Sequence, residues 1–189
     1  MPRVGLTSTR LATAGAEVAD AMGFDAVTVS RVARHVGVKP ASLYSHLTGS
    51  DDLRTKVCLL ALSEMAEGAA DALAGRAGRE ALAAYAESFR SYARRHPGRY
   101  EASHRRLDPA TAEASDGRRH TDLAVTILRG YAVPESEHVH AVRLLGSSIH
   151  GFVSLEAAGG FSHSAPDAEA SWTRAIDALD HVLRGWPAP

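Results

Sequence analysis

Apolar residues along this chain recur three or four positions apart in almost every stretch that has a pattern. No run of alternating apolar and polar residues lies between hairpin turn signals, as a half-buried strand would. The pattern therefore predicts an all-α fold of about nine helices. Eight can be placed, at about residues 7–22, 28–36, 40–47, 50–74, 78–96, 119–131, 135–158 and 166–185.

Two of the predicted helices are short and are separated by a tight turn. The first has apolar residues at i, i+3, i+4 and i+7 from Val29, the spacing of one helix face, and Gly37 ends it. Pro40 suits the first turn of the second helix, whose inward residues are Leu43 and Leu47. Two short helices joined in this way form a helix-turn-helix.

The outward face of the second short helix suits double-stranded DNA. Its solvent-facing residues are Lys39, Pro40, Ala41, Ser42, Tyr44 and Ser45. Small side chains let the backbone approach base edges in the major groove, and Lys39 and Tyr44 can reach phosphates. An ordinary corner between two helices has a solvated face too, so spacing alone leaves both interpretations open.

Charge changes this picture only slightly. Apolar residues make up 45% of the chain, charged residues 23%, and the net charge is −1. Residues 1–56 nevertheless carry seven Lys and Arg against five acids, a balance of +2 that leaves −3 for the remainder. This asymmetry permits a basic head on an acidic body. Cys58 is the only cysteine, and no apolar stretch suits a membrane span or a signal peptide, so we expect a cytoplasmic protein without a membrane partner.

The body has a row of aromatic residues on one predicted helix. Tyr85, Phe89 and Tyr92 fall at i, i+4 and i+7, facing a helix with Ile149 and Phe152. Further polar-tipped groups in the body are Tyr100, His104, His120 and His150. An apolar cavity with a few such groups is typical of a small-molecule site, although plain core packing explains the row equally well.

Metal and enzyme chemistry find little support. The chain has ten histidines, but His138 and His140 are two apart and point to different helix faces. Cys58 has no local partner motif, and no nucleophile elbow or phosphate loop occurs. We therefore expect no metal, no cofactor and no catalytic residue. A helical enzyme or carrier that uses the body pocket is the alternative from another class.

The run from Thr28 to Leu47 resembles the head of the TetR (tetracycline-repressor-like) family, as does the preceding Ala-Met-Gly-Phe-Asp25. The resemblance implies that Tyr44 and His46 touch the DNA backbone and that Thr28 does so from the first helix of the motif, where Ser30 is a further contact. It also implies that residues 39–42 face the groove. Ser50 departs from the family, which usually has a phosphate-binding Lys there. Either Arg54 or Lys56 supplies the missing contact, or the affinity for DNA is lower.

The body resembles a C-terminal type of the same family through His96-Pro-Gly-Arg-Tyr100, His150-Gly-Phe-Val-Ser-Leu-Glu156 and Gly159-Gly160-Phe161. A Trp that members often carry upstream of the His-Gly pair is missing here. In this family the last two helices of each subunit form a four-helix bundle. The expected dimer interface is an apolar stripe on the last helix, formed by Trp172, Ile176, Leu179 and Val182. Such a stripe could also belong to the core of one subunit.

The resemblance thus implies a transcription regulator with a DNA-binding domain at 1–50 and a ligand-binding and dimerisation domain at 51–189. We expect it to bind a palindromic operator as a homodimer, to act as a repressor, and to leave DNA when a small hydrophobic or aromatic effector binds. A DNA-binding dimer that ignores ligands is the alternative.

Overall fold

The computed structural model describes residues 6–187; Arg3, one of the basic residues counted in the head, lies outside that range. The described residues form nine α-helices and no strand, which confirms the all-α prediction. The helices are α1 (Ser8–Met22), α2 (Val29–His35), α3 (Ser50–Leu73), α4 (Gly78–Arg95), α5 (Pro97–Ser103), α6 (Pro109–Glu113), α7 (Gly117–Leu128), α8 (His138–Ala157) and α9 (Ala168–Arg184). Single 3₁₀ turns lie at Phe24–Ala26, Pro40–Ser42 and Glu135–Glu137.

Several helix starts follow from a side chain that caps the first turn. The Thr7 hydroxyl accepts a hydrogen bond from the Arg10 amide at 3.2 Å at the start of α1. The Asp167 carboxylate accepts one from the Ala170 amide at 2.8 Å before α9. Each cap satisfies an amide that the helix itself leaves unpaired. Gly23, with a φ of +86°, ends α1 in a conformation that disfavours a side chain.

The chain divides into two compact units. Unit 1 comprises Met1–Glu64 and Arg95–Asp116, and unit 2 comprises Met65–Arg94 and Gly117–Pro189. Unit 1 therefore holds more than the helix-turn-helix, because it includes the first part of α3 together with α5 and α6. The division is one of packing, so the functional boundary between residues 50 and 51 stays a prediction.

Each unit has its own apolar core. In unit 1, the fully buried side chains include Leu11, Val27, Val32, Leu43 and Leu53. In unit 2, they include Leu82, Leu128, Leu145 and Leu183. The inward residues predicted for the helix-turn-helix lie in the first of these cores.

Two short helices occupy the interval between the predicted helices at 78–96 and 119–131, for which the sequence pattern predicted no helix. Pro97 begins α5 and Pro109 begins α6, each in the first turn, where a missing amide costs nothing. Asp108 also caps α6 by accepting a hydrogen bond from the Thr111 amide at 3.1 Å. Proline was therefore a start signal at these places and not a breaker.

Candidate functional site

The first half of the helix-turn-helix has the predicted form. Thr28 is the N-cap of α2, and its hydroxyl accepts a hydrogen bond from the Arg31 amide at 3.3 Å. Gly37 turns the chain with a φ of +74°, and the Val38 amide donates to the Ala33 carbonyl at 2.9 Å. This turn directs the chain into the segment that was predicted to read DNA.

That second segment is not the regular α-helix predicted over residues 40–47. It is a 3₁₀ turn at Pro40–Ser42 followed by further turns, with the Leu43 amide donating to the Pro40 carbonyl and the His46 amide to the Leu43 carbonyl. Leu43 and Leu47 are both buried in the unit 1 core, only four residues apart. A segment this short, docked at both ends, gains little from completing α-helical hydrogen bonds. From here on we call residues 39–46 the reading segment.

The reading segment nevertheless presents the predicted face to solvent. Its exposed residues are Lys39, Pro40, Ala41, Ser42, Tyr44, Ser45 and His46. Tyr44 is the most conspicuous, because 59% of this large side chain is accessible, whereas Leu43 beside it is fully buried. Ser30 on α2 is also exposed, whereas Thr28 is half-buried beside its cap. Their contacts with DNA stay a prediction.

Ser50, the residue that departs from the family pattern, has a structural role. Its hydroxyl accepts a hydrogen bond from the Val29 amide at 3.1 Å, in the first turn of α2. The two residues expected to replace the missing Lys are occupied elsewhere. Arg54 donates to the carbonyls of Val27 at 3.0 Å and Asp25 at 2.7 Å. Lys56 lies 2.6 Å from a carboxylate oxygen of Asp52 on the same helix. The geometry therefore supports neither substitute.

Helix α5 is fastened to α1 within unit 1, a feature that the sequence analysis missed. A Cβ on Gly98 would lie 2.0 Å from the Ala19 carbonyl oxygen, so only glycine permits this approach. Asp20 accepts a hydrogen bond from the Arg99 amide at 2.9 Å, and its other carboxylate oxygen forms an ion pair with the Arg99 guanidinium at 2.9 Å. Arg99 in turn contacts Glu64 at 3.0 Å. The His96-Pro-Gly-Arg-Tyr100 run quoted for family resemblance contains both contact residues.

In unit 2, three of the predicted effector residues lie together. The Tyr85 and Phe89 rings are 4.8 Å apart between centroids, and Phe89 lies 5.5 Å from the His120 ring. The Tyr85 hydroxyl donates to the His120 carbonyl at 3.3 Å, and burial raises the pKa of that hydroxyl. Tyr85 is therefore a neutral donor and acceptor at physiological pH. Tyr92, on the same helix, is buried.

The other predicted effector residues lie elsewhere in the chain. Tyr100 and His104 belong to unit 1, where their rings are 4.8 Å apart and burial raises the pKa of Tyr100 to about 12. Ile149 is buried and lines a groove between α8 and α9. Phe152 stacks on Phe161 at 4.8 Å and on Trp172 at 4.9 Å. The assignment of all eight residues to one effector site stays a prediction.

A buried charge cluster in unit 2 was not predicted from the sequence. Arg90 on α4 is only 1% exposed, and its guanidinium contacts Glu156 at 2.6 and 2.9 Å and Glu169 at 2.9 Å. The same group lies over the Trp172 ring, 4.9 Å from its centroid. Hydrogen bonding to Arg90 lowers the pKa of Glu156, which keeps the carboxylate ionised. Arg90 thus joins three helices of unit 2.

The predicted dimer stripe is mostly buried within one subunit. Trp172, Ile176 and Leu179 pack into unit 2, whereas Val182 is 42% exposed. Val182 lines an apolar groove between α8 and α9 of about 260 Å³, with Leu144, Ser148 and Ala178 among its other walls. The part of the stripe that is accessible to a partner is therefore this groove.

Residues 6–187 provide neither a membrane-spanning helix nor a metal site. Every helix there is too short or too polar to cross a lipid bilayer. The same residues contain no group of three or more His, Cys, Asp and Glu side chains placed to hold a metal ion.

Comparison with known proteins identifies both parts of the chain. Residues 11–54 match the family model described as bacterial regulatory proteins, tetR family, and residues 82–179 match that of a tetracyclin repressor-like C-terminal domain. The uncharacterized HTH-type transcriptional regulator YobS of Bacillus subtilis (strain 168) is 33% identical over 161 residues. That alignment covers 85% of this chain and 84% of YobS.

Solved structures share the fold. A protein with unknown function from Rhodococcus sp. RHA1 superposes with a TM-score of 0.79 at 21% identity, covering 97% of this chain and 99% of that one. A TetR variant from Acinetobacter baumannii AYE in complex with minocycline superposes with a TM-score of 0.72 at 19% identity, covering 98% and 100%. At such identities the likeness concerns the fold alone.

Proposed function

Because this chain belongs to the tetR family of bacterial transcriptional regulators, we propose that it represses transcription by binding a palindromic operator as a homodimer and leaves DNA when a small hydrophobic or aromatic effector binds. The chain is a DNA-binding regulator and not an enzyme. The observation that carries the operator proposal is the exposed face of the reading segment, held in place by buried Leu43 and Leu47.

The reading segment supplies what groove binding needs. Ala41 and Ser42 are small and exposed, so the backbone can approach base edges, and Lys39 and Tyr44 flank them with groups that reach phosphates. The core contacts of Leu43 and Leu47 fix the position of this face before DNA binds, which lowers the ordering cost of binding.

A second subunit is supported by the groove between α8 and α9. An exposed apolar groove on a soluble regulator is typical of an interaction surface, and a two-fold axis gives a helix-turn-helix protein its second half-site. Val182 and Ala178 lie on the open side of the groove, one helical turn apart on α9. We propose that the same two helices of the partner subunit cover it.

The effector proposal rests on the cluster of Tyr85, Phe89 and His120 in unit 2. The two rings offer apolar contact area, while the buried Tyr85 hydroxyl and the imidazole can hydrogen-bond a phenol or carbonyl oxygen. The A. baumannii TetR variant that shares this fold is in complex with minocycline, which supports a small-molecule ligand and nothing finer.

Release of DNA requires the body to act on the head. The chain leaves unit 2 at the end of α4, and only His96 separates α4 from α5, which is fastened to α1 by Gly98 and Arg99. We propose that a ligand that shifts α4 also moves α5, and that α5 transmits the movement to α1 within unit 1. We propose that the effector favours a conformation whose two heads no longer match the operator spacing.

Selection of duplexes from a random pool tests operator binding. We expect a two-fold symmetric site whose affinity falls steeply with salt, and Tyr44→Ala or Lys39→Ala should weaken binding by roughly 1 to 3 kcal/mol. Arg174→Ala, at an exposed position of unit 2, is the matched control and should leave binding unchanged. Enrichment of no symmetric site would contradict the proposal.

Sedimentation of charge variants tests the dimer. Val182→Glu places a charge in the groove and should yield monomers that no longer bind the operator, since an unpaired charge in an apolar interface costs several kcal/mol. Thr173→Glu, on the opposite and exposed side of α9, should remain dimeric. Leu179→Glu would be less informative because that side chain is buried within the subunit. A wild-type protein that sediments as a monomer at micromolar concentration would refute the proposed dimer interface.

A panel of hydrophobic and aromatic compounds tests the effector. At least one should raise the melting temperature and release the operator. Phe89→Ala should blunt that response with little loss of stability, because Phe89 is only partly buried; a core residue would cost roughly 3 to 5 kcal/mol. Tyr85→Phe, which removes only the hydroxyl, is the matched variant for hydrogen bonding. If no compound acts and Phe89→Ala is severely destabilised, the ligand-blind dimer is the correct function.

A further inference from the structure

Met22 is the sulfur-containing side chain that solvent reaches most easily among residues 6–187. It is 59% exposed at the end of α1, whereas Met65 is 6% exposed and Cys58 is fully buried. Burial also raises the pKa of the Cys58 thiol to about 11, which suppresses its reactive thiolate form. Among these three side chains, Met22 is therefore the one that an oxidant in solution reaches first.

The thioether of Met22 touches a cation of the helix-turn-helix. Its Sδ atom lies 3.6 Å from Nη1 of Arg31, an exposed residue of α2 whose amide donates to the Thr28 cap. A thioether is a weak acceptor, so this contact holds the guanidinium loosely. Arg31 can therefore exchange its contact with Met22 for a hydrogen bond to a DNA phosphate.

We propose that Met22 is an oxidation site through which hydroperoxides lower the DNA affinity of this regulator, an inference that rests on the proposed operator binding. The hydroperoxide transfers its terminal oxygen to Sδ in a two-electron step. The O–O bond breaks, a sulfur–oxygen bond forms, and the peroxide leaves as an alcohol or as water. The sulfoxide oxygen is a strong acceptor beside Arg31, and the guanidinium donates to it in place of phosphate.

Two neighbouring cations, Arg54 and Lys56, are poorly placed to compensate for the loss of Arg31. Arg54 is held by two backbone carbonyls and Lys56 by Asp52. Arg34 and Lys39 are exposed and remain for DNA. Withdrawal of Arg31 therefore removes about one phosphate contact per subunit and makes the dependence of affinity on salt correspondingly less steep.

Peroxide treatment with peptide mass mapping tests the site. Limited hydrogen peroxide should convert Met22 to the sulfoxide while Met65 stays reduced. Affinity of the oxidised protein for the selected duplex should then fall roughly 5- to 150-fold, the effect of losing one hydrogen bond in each of the two subunits. A methionine sulfoxide reductase should restore it. Met22→Gln, which offers a carbonyl oxygen at the same place, should reproduce the loss without oxidant.

Two variants isolate the contact. Met22→Leu should bind like wild type and ignore peroxide. Arg31→Ala should bind DNA more weakly than wild type but should lose no further affinity on oxidation. In this variant the sulfoxide oxygen of Met22 has no guanidinium to accept a hydrogen bond from. The proposal is overturned if Met22 resists oxidation, if the oxidised wild type keeps its affinity, or if Arg31→Ala responds as strongly as wild type. A protein that binds no duplex before oxidation contradicts the proposed function itself, and the inference falls with it.

Discussion

Replacing Arg90 by methionine is the sharpest test of how unit 2 holds together. The substitution keeps a flexible side chain of similar length between the aromatic rings but removes the guanidinium from its two carboxylates. Glu156 is 16% exposed and still pairs with Arg94 at 3.0 Å, so its carboxylate loses only one of its two cationic partners. Glu169 is 67% exposed, and its ion pair adds little.

The size of the effect follows from these contacts. Removing one partner of a buried ion pair costs about 3 to 5 kcal/mol when nothing replaces it. The remaining Arg94 contact lowers that figure, while the lost stacking of the guanidinium on Trp172, at 4.9 Å, adds about 0.5 to 2 kcal/mol. We therefore expect Arg90→Met to lower the free energy of unfolding by about 2 to 4 kcal/mol.

Urea denaturation followed by tryptophan fluorescence measures this directly, because Trp172 contacts the substituted side chain. One fixed protein concentration is needed, since the apparent stability of the proposed dimer would depend on concentration. Arg94→Met is the matched control: the residue shares Glu156 but is 52% exposed, so its loss should cost less than about 1 kcal/mol. If Arg90→Met costs no more than Arg94→Met, the cluster does not stabilise unit 2.

Acid provides a second readout of the same contact. The folded pKa of Glu156 is lowered, chiefly by hydrogen bonding to Arg90, from an ordinary value of 4.5. The ion pair therefore stabilises the fold above that value, and its contribution disappears as pH falls through the lowered pKa. The difference between wild type and Arg90→Met should narrow below about pH 4.5. A difference that is constant across this range would show that Arg90 acts by packing alone.

Three further predictions concern local geometry. Gly98→Ala should destabilise unit 1 by about 3 kcal/mol or more in thermal melts, because the new Cβ meets the rigid Ala19 backbone. Gly68→Ala, where the Cβ enters open space, should be neutral or stabilising. Equal effects of the two substitutions would refute the close approach of α5 to α1. Cys58 should react with a thiol reagent at pH 8 only under denaturant, since burial raises its pKa to about 11, and rapid labelling of the native protein would contradict this burial. Asp167→Ala should cost about 1 kcal/mol through loss of the α9 cap, with Asp167→Asn as the conservative control that keeps most of it.

Much of the helical framework depends on interactions between residues close in the chain. Thr28 caps α2 through an amide three residues away, and the apolar spacing from Val29 defines which side of that helix is buried. Leu43 and Leu47 were likewise recognisable as core, and the exposed face between them followed. Capping and periodicity act over one or two turns, so they can be read from a linear sequence.

The remaining features depend on partners that are distant in the chain. The sequence pattern indicates that Arg90 is an ordinary polar residue of an amphipathic helix. It is buried because it pairs with Glu156 and Glu169, which lie 66 and 79 positions away in the chain. The reading segment begins with a 3₁₀ turn at Pro40–Ser42, although the spacing of buried Leu43 and Leu47 predicted an α-helix there. Burial of a charge or distortion of a helix is favourable only once long-range contacts offset its cost, and periodicity carries no record of those contacts.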